Sequence, residues 1–166
     1  MSNFTDKIQA RIPKIAEQER QRVEAEQAAQ RRKLAQEQKE QWLRERAQRI
    51  GTEVVQLLWE RGVPPLPIWT PRDRTTQPIH YEQSGDGWHV DSFYKPSSEN
   101  GIIIHRAINF DGVISRFHFT SHNGFDGIVD PYDIHPEHLL PTLEDDHFQD
   151  GVASLIYLQR PYGPNR

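Results

Sequence analysis

Eight histidines stand among 166 residues that include no cysteine, and their spacing defines the chemistry on offer. His105, Arg116 and His118 lie in IIIHRAINFDGVISRFHFTS, residues 102–121. Imidazoles titrate near neutral pH, so two of them side by side on a strand pair, next to a guanidinium, are the parts of a general acid–base site. One run earlier, His80, Glu82, His89 and Asp91 alternate so that two imidazoles and two carboxylates share one side of a strand pair. Those residue types suit a binding face or a His/carboxylate metal site. His135 and His138 stand at i, i+3, ahead of Glu144, Asp145, Asp146 and His147, and form the second metal candidate. The H-E-x-x-H spacing of a zinc protease is absent, as are a Gly-rich phosphate loop and a G-x-S-x-G elbow. Without cysteine there is no thiol catalysis and no thiolate ligand. A plainer explanation stands beside each candidate. The solvated side of an antiparallel sheet is polar in any case, and Pro136 with Glu137 suits a capped helical turn. No cofactor is expected, with a divalent metal as the alternative.

The elements that must position these groups begin with a hairpin. Asp111-Gly112 between two β-branched and aromatic runs is a strong two-residue turn signal, because the turn needs positive φ. With that loop, paired residues have numbers adding to 223. Ile104 then faces Phe119, His105 faces His118, Arg106 faces Phe117, and Ile108 faces Ser115. Ile104, Ile108, Phe110, Val113, Phe117 and Phe119 make an apolar face, and His105, Asn109, Arg116 and His118 a polar one. A slip of one residue would exchange the faces. A second hairpin is expected from Ile79–Gln83 and Trp88–Tyr94 around Ser84-Gly85-Asp86-Gly87. It sets Glu82 opposite His89 and His80 opposite Asp91.

Helix-forming Glu, Gln, Arg, Lys and Ala dominate from Lys14 to Arg61, between Pro13, which interrupts, and Gly62 with Pro64-Pro65, which stop the helix. Its first half is sparse in apolar residues. A heptad register through Val23, Gln27, Gln30, Leu34, Glu37 and Gln41 is a poor coiled coil, so a solvated arm is expected. After Trp42 the pattern changes: Leu43, Ala47, Ile50, Val54, Leu57 and Leu58 form a stripe that should bury against the sheet. Gly51 within it marks close packing. Residues 63–78 read as a Pro-rich extended connection, residues 135–140 as one helical turn ended by Pro141, and residues 152–160 as a last strand.

Charge divides with structure. Residues 1–62 hold 13 Lys/Arg against 10 Asp/Glu, and residues 63–166 hold 7 against 14, while 13 of 16 aromatics follow residue 62. Only the second region can build a core. Arg31-Arg32-Lys33 is the one basic cluster, and its acidic neighbours argue against nucleic acid as a partner. No apolar run approaches the roughly 20 residues that span a bilayer, and the first residues lack the apolar core of a secretory signal, so a cytoplasmic protein away from membranes is expected. The expected fold is α+β: a long N-terminal helix on a small antiparallel sheet of four to five strands built from two consecutive hairpins. Residues 1–41 form a charged helical arm. Residues 42–166 form the domain, with packing helix 42–61, connection 63–78, and sheet 79–121 plus strand 152–160. The expected function is a non-enzymatic protein-binding or assembly protein, meeting a partner or a second copy through its N-terminal helix. The alternative is a small hydrolase or a metal- or ligand-binding domain using the His-rich face, and whether the chain is an enzyme stays open.

Overall fold

The computed structural model describes residues 3–96, 101–118 and 126–161. The strong helix formers at the start build α1, Phe4–Glu60. Pro13 lies inside it rather than at its beginning, which corrects the expected interruption. The chain divides into two units, residues 1–41 and 42–166. In the first unit, the described side chains are exposed except Glu40, and pairs such as Arg22 with Glu19 and Lys33 with Glu37 line the helix surface.

In the second unit, α1 buries Ala47, Gly51 and Leu58, with Ile50, Val54 and Val55 packed against the same core, while Leu57 is exposed. Gly62 takes φ 68 and ends the helix, as the left-handed region favours glycine. Residues 63–78 are not a structureless connection: Leu66–Pro71 is a strand, β1. It pairs antiparallel with the first part of β2, Tyr81–Lys95, which is one strand and not the expected hairpin. Ser84 to Gly87 have turn-type side chains, yet β1 supplies a partner there: Ile68 opposes Gly85 and Leu66 opposes Gly87. The second part of β2 pairs with β3, Ile102–Asn109, and β3 with β4, Ile114–Phe117.

Over its described residues, the expected hairpin forms with a register one residue away. His105 opposes Phe117, Arg106 opposes Arg116, and Ile108 opposes Ile114. The Asn109 side-chain oxygen accepts from the backbone N–H of Asp111 at 3.1 Å and of Val113 at 2.8 Å. Only Gly112 has positive φ, 78°. The loop is therefore the three residues Phe110-Asp111-Gly112, a turn followed by a left-handed glycine, and pairs add to 222. His105 and His118 are not opposite each other, and Phe117 lies on the His105 face. Phe119, the expected partner of Ile104, falls outside the described residues.

Two short strands complete a six-stranded sheet in the order β5-β1-β2-β3-β4-β6. β5, Ile128–Val129, runs parallel to β1, and β6, Tyr132–Asp133, antiparallel to β4. Only Asp130 and Pro131 separate them, so one six-residue segment occupies both edges and closes the sheet into a small barrel. Its interior holds Leu66, Ile68, Ala107, Phe117 and Ile128. The larger core lies outside, where Trp88, Val90, Ile108 and Ile114 meet α1, α2 (Pro136–Glu144) and α3 (Asp146–Leu158). The fold is α+β, a long N-terminal helix on a mostly antiparallel sheet of six strands rather than four to five. Two further expectations change. Pro141 lies inside α2, and residues 152–158 are helical rather than a strand. The apolar positions Phe148, Val152 and Leu155 recur every three or four residues, a helical period.

Candidate functional site

An irregularity in β2 between His89 and Asp91 splits the polar residues of that strand. His89 opposes Ala107, Asp91 opposes Arg106, and Ser92 opposes His105. The extra residue lets His89 and Ser92 face the barrel interior, while Val90 and Asp91 both abut Gly151 of α3. Two polar clusters result, one on each side of the sheet.

Inside the barrel, His89, Ser92 and His105 are all buried. His89 Nε2 lies 3.0 Å from the Asp91 carbonyl oxygen and 3.0 Å from Ser92 Oγ, and Ser92 Oγ lies 2.6 Å from His105 Nδ1. A carbonyl only accepts, so His89 Nε2 carries a proton; Ser92 can then accept from His89 and donate to His105. The two ring nitrogens are 3.2 Å apart, and the His105 ring stacks on Phe117 with centroids 5.1 Å apart. Burial pushes the His105 pKa down, the charge of His118 adds to the effect, and Asp91 opposes it. A serine hydroxyl hydrogen-bonded to an imidazole has the makings of a nucleophile and its base. Here both are packed into a barrel interior with apolar walls.

A depressed histidine pKa gives a signed prediction. The unfolded chain takes up a proton near 6.5 while folded His105 does not. The stability this group contributes is therefore complete above that value and is lost as pH falls through the lowered folded pKa. Urea titrations at pH 7 and pH 5 should show a smaller acid loss for His105→Phe than for the parent chain. Equal losses would contradict this assignment.

On the outer face, Asp91 has no exposed surface and Arg106 only 5%. Arg106 Nε donates to Asp91 Oδ1 at 2.7 Å, Nη2 donates to Asp91 Oδ2, and Nη1 donates to Asp145 Oδ2 at 2.7 Å. His147 Nδ1 donates to Asp91 Oδ2 at 2.8 Å. Phe93 and Phe148 flank the guanidinium, with ring centroids 5.1 and 5.3 Å away. Burial works against the charge on both Arg106 and Asp145, but their hydrogen bonds and attraction prevail, raising the Arg106 pKa and lowering that of Asp145. Asp145 is also the N-cap of α3, accepting from the His147 backbone N–H at 3.0 Å. The network thus fastens the start of α3 to the middle of the sheet.

The sequence candidates are dispersed over these surfaces. His105 is inside the barrel, whereas His118 is exposed and stacks on Tyr132 with centroids 5.4 Å apart. Arg116 lies half-buried on the helix-covered face, 5.9 Å from the Phe93 ring centroid. Of the second set, His80 and Glu82 are exposed, His89 is interior, and Asp91 is on the outer face. His135 caps α2, its Nδ1 accepting from the Glu137 N–H at 3.4 Å, and its ring centroid is 5.9 Å from that of His138. Among the described residues, no group of three or more His, Asp or Glu is placed to hold a metal ion. Sequence reasoning missed Ser92 and did not link Asp145 and His147 to Asp91. The bulge that aims them carries no local signature. No helix among the described residues is long and apolar enough to cross a membrane. No family model, curated protein or solved structure matches this chain.

Proposed function

We propose that this is a non-enzymatic assembly protein that docks through its N-terminal helix, with the α+β domain as the body the helix serves. One observation carries the reading. Ile12, Val23 and Leu34 are 58%, 39% and 56% exposed on one helix, bordered by Phe4, Ile8 and Ile15, also exposed. Most helical stability in proteins comes from packing an apolar stripe, and these side chains gain that only from a partner. The catalytic alternative required His105 and His118 to converge on an open polar face. His105 is buried and His118 exposed, so they share no open face, and the Ser92–His105 pair is interior.

Light scattering of the full chain over a range of concentrations tests the arm. The mass should exceed that of the monomer and fall to it in the triple variant Ile12→Glu, Val23→Glu, Leu34→Glu. A monomeric parent chain at every concentration would sink the idea.

A further inference from the structure

Three apolar residues of the arm repeat at an interval of eleven. Ile12, Val23 and Leu34 are separated by 11 residues each, which is three turns of nearly ideal helix. At about 100° per residue they fall, with Thr5, Gln9, Ala16, Glu19, Gln27, Gln30, Glu37 and Gln41, in an arc about 80° wide. No Lys or Arg enters this arc.

We infer that the arm's partner is a second copy of this chain, packed antiparallel with Val23 on the two-fold axis. This rests on the docking reading above and names its partner and register. Three features support it. First, Ile12, Val23 and Leu34 are symmetric about Val23: an antiparallel copy sets Ile12 against Leu34 twice and Val23 against itself, with Ile8 and Ile15 just outside the arc. Of the remaining layers, Glu19 meets Gln27 and Gln9 meets Glu37, while Ala16 meets Gln30. Secondly, charge separates the two orientations. A parallel, in-register pair would place Glu19 against Glu19 and Glu37 against Glu37, and facing like charges are costly. The antiparallel pair gives each of these carboxylates a glutamine amide as donor. On one flank, Arg20 and Arg31 come within about half a turn of Glu24 and Glu17 of the second copy. Thirdly, the register uses the arm to its limit. Val23 lies near the middle of residues 3–41, so residues 5–41 overlap fully and the pairing ends where the first unit ends.

The absence of native cysteine makes the register directly testable in the full-length protein. Val23→Cys should oxidise to a covalent dimer. Ile12→Cys alone and Leu34→Cys alone should give none, while an equimolar mixture of these two should give the mixed disulfide. Dimers from Ile12→Cys alone, or no crosslink in any variant, would overturn the antiparallel register. If the parent chain is multimeric by light scattering but the crosslinks follow another pattern, the docking helix stands and this inference falls. If the parent chain is monomeric throughout, both fall.

Discussion

Asp91→Ala is expected to destabilise the domain by about 3–5 kcal/mol, the cost of leaving a buried charge without its partner. Asp91 accepts from Arg106 twice and from His147, and it has no exposed surface. Without it, the guanidinium stays pinned between Phe93 and Phe148, 5% exposed, with only Asp145 opposite. Asp145 is a poorer counter-charge because its side chain is 40% exposed. Asp145→Ala should accordingly cost less, about 1–2 kcal/mol, mostly the lost helix cap. The double variant Asp91→Leu, Arg106→Met removes both charges together and should recover most of the loss, since apolar replacement of a buried pair is often close to neutral. Urea denaturation of the three variants and the parent chain measures these differences. A loss below about 1 kcal/mol for Asp91→Ala would show that the network contributes little beyond packing.

Those residues also show where the sequence can and cannot be read. The packing half of α1 is legible because its stripe has a helical period and its neighbours have turn residues. The barrel is less so. Asp111-Gly112 announces a hairpin, but the Asn109 side chain takes two backbone N–H groups and lengthens the loop by one residue. That single residue decides whether His105 faces His118 or Phe117. Ser84 to Gly87 look like a turn when read locally. A partner strand carrying Pro67 overrides them, and the prolines of residues 63–71 conceal that strand. The closing segment, 128–133, offers two residues to each edge, too few for any periodic signal. The polar clusters depend on the β2 bulge, and Asp91 and His147 are 56 positions apart, so their contact is a property of the fold alone.

Gly51→Ala inverts the usual rule for helices. Alanine in place of glycine inside a helix gains about 1 kcal/mol of propensity, and nothing local at Gly51 opposes the change. Here the expected net effect is a loss of about 2 kcal/mol, because overpacking a closed contact costs about 1–3 kcal/mol or more. Gly51 is buried against the 110–112 turn, and a Cβ there would overlap the Gly112 backbone, with Gly112 C only 2.9 Å away. Backbone cannot move aside as a flexible side chain can. The turn is held on its other sides by Asn109, by the Gln48 amide donating to the Asp111 carbonyl at 3.2 Å, and by Phe110 packed on Trp88. Relief must come from lifting α1, which uncovers Ala47, Ile50 and Val54. Gly85→Ala is the matched control: no heavy atom lies within 4 Å of its Cβ position, and its effect should stay within about 0.5 kcal/mol. Thermal and urea unfolding of the two variants would separate the cases. A Gly51→Ala chain as stable as the parent would mean that α1 does not rest on the hairpin turn through this contact.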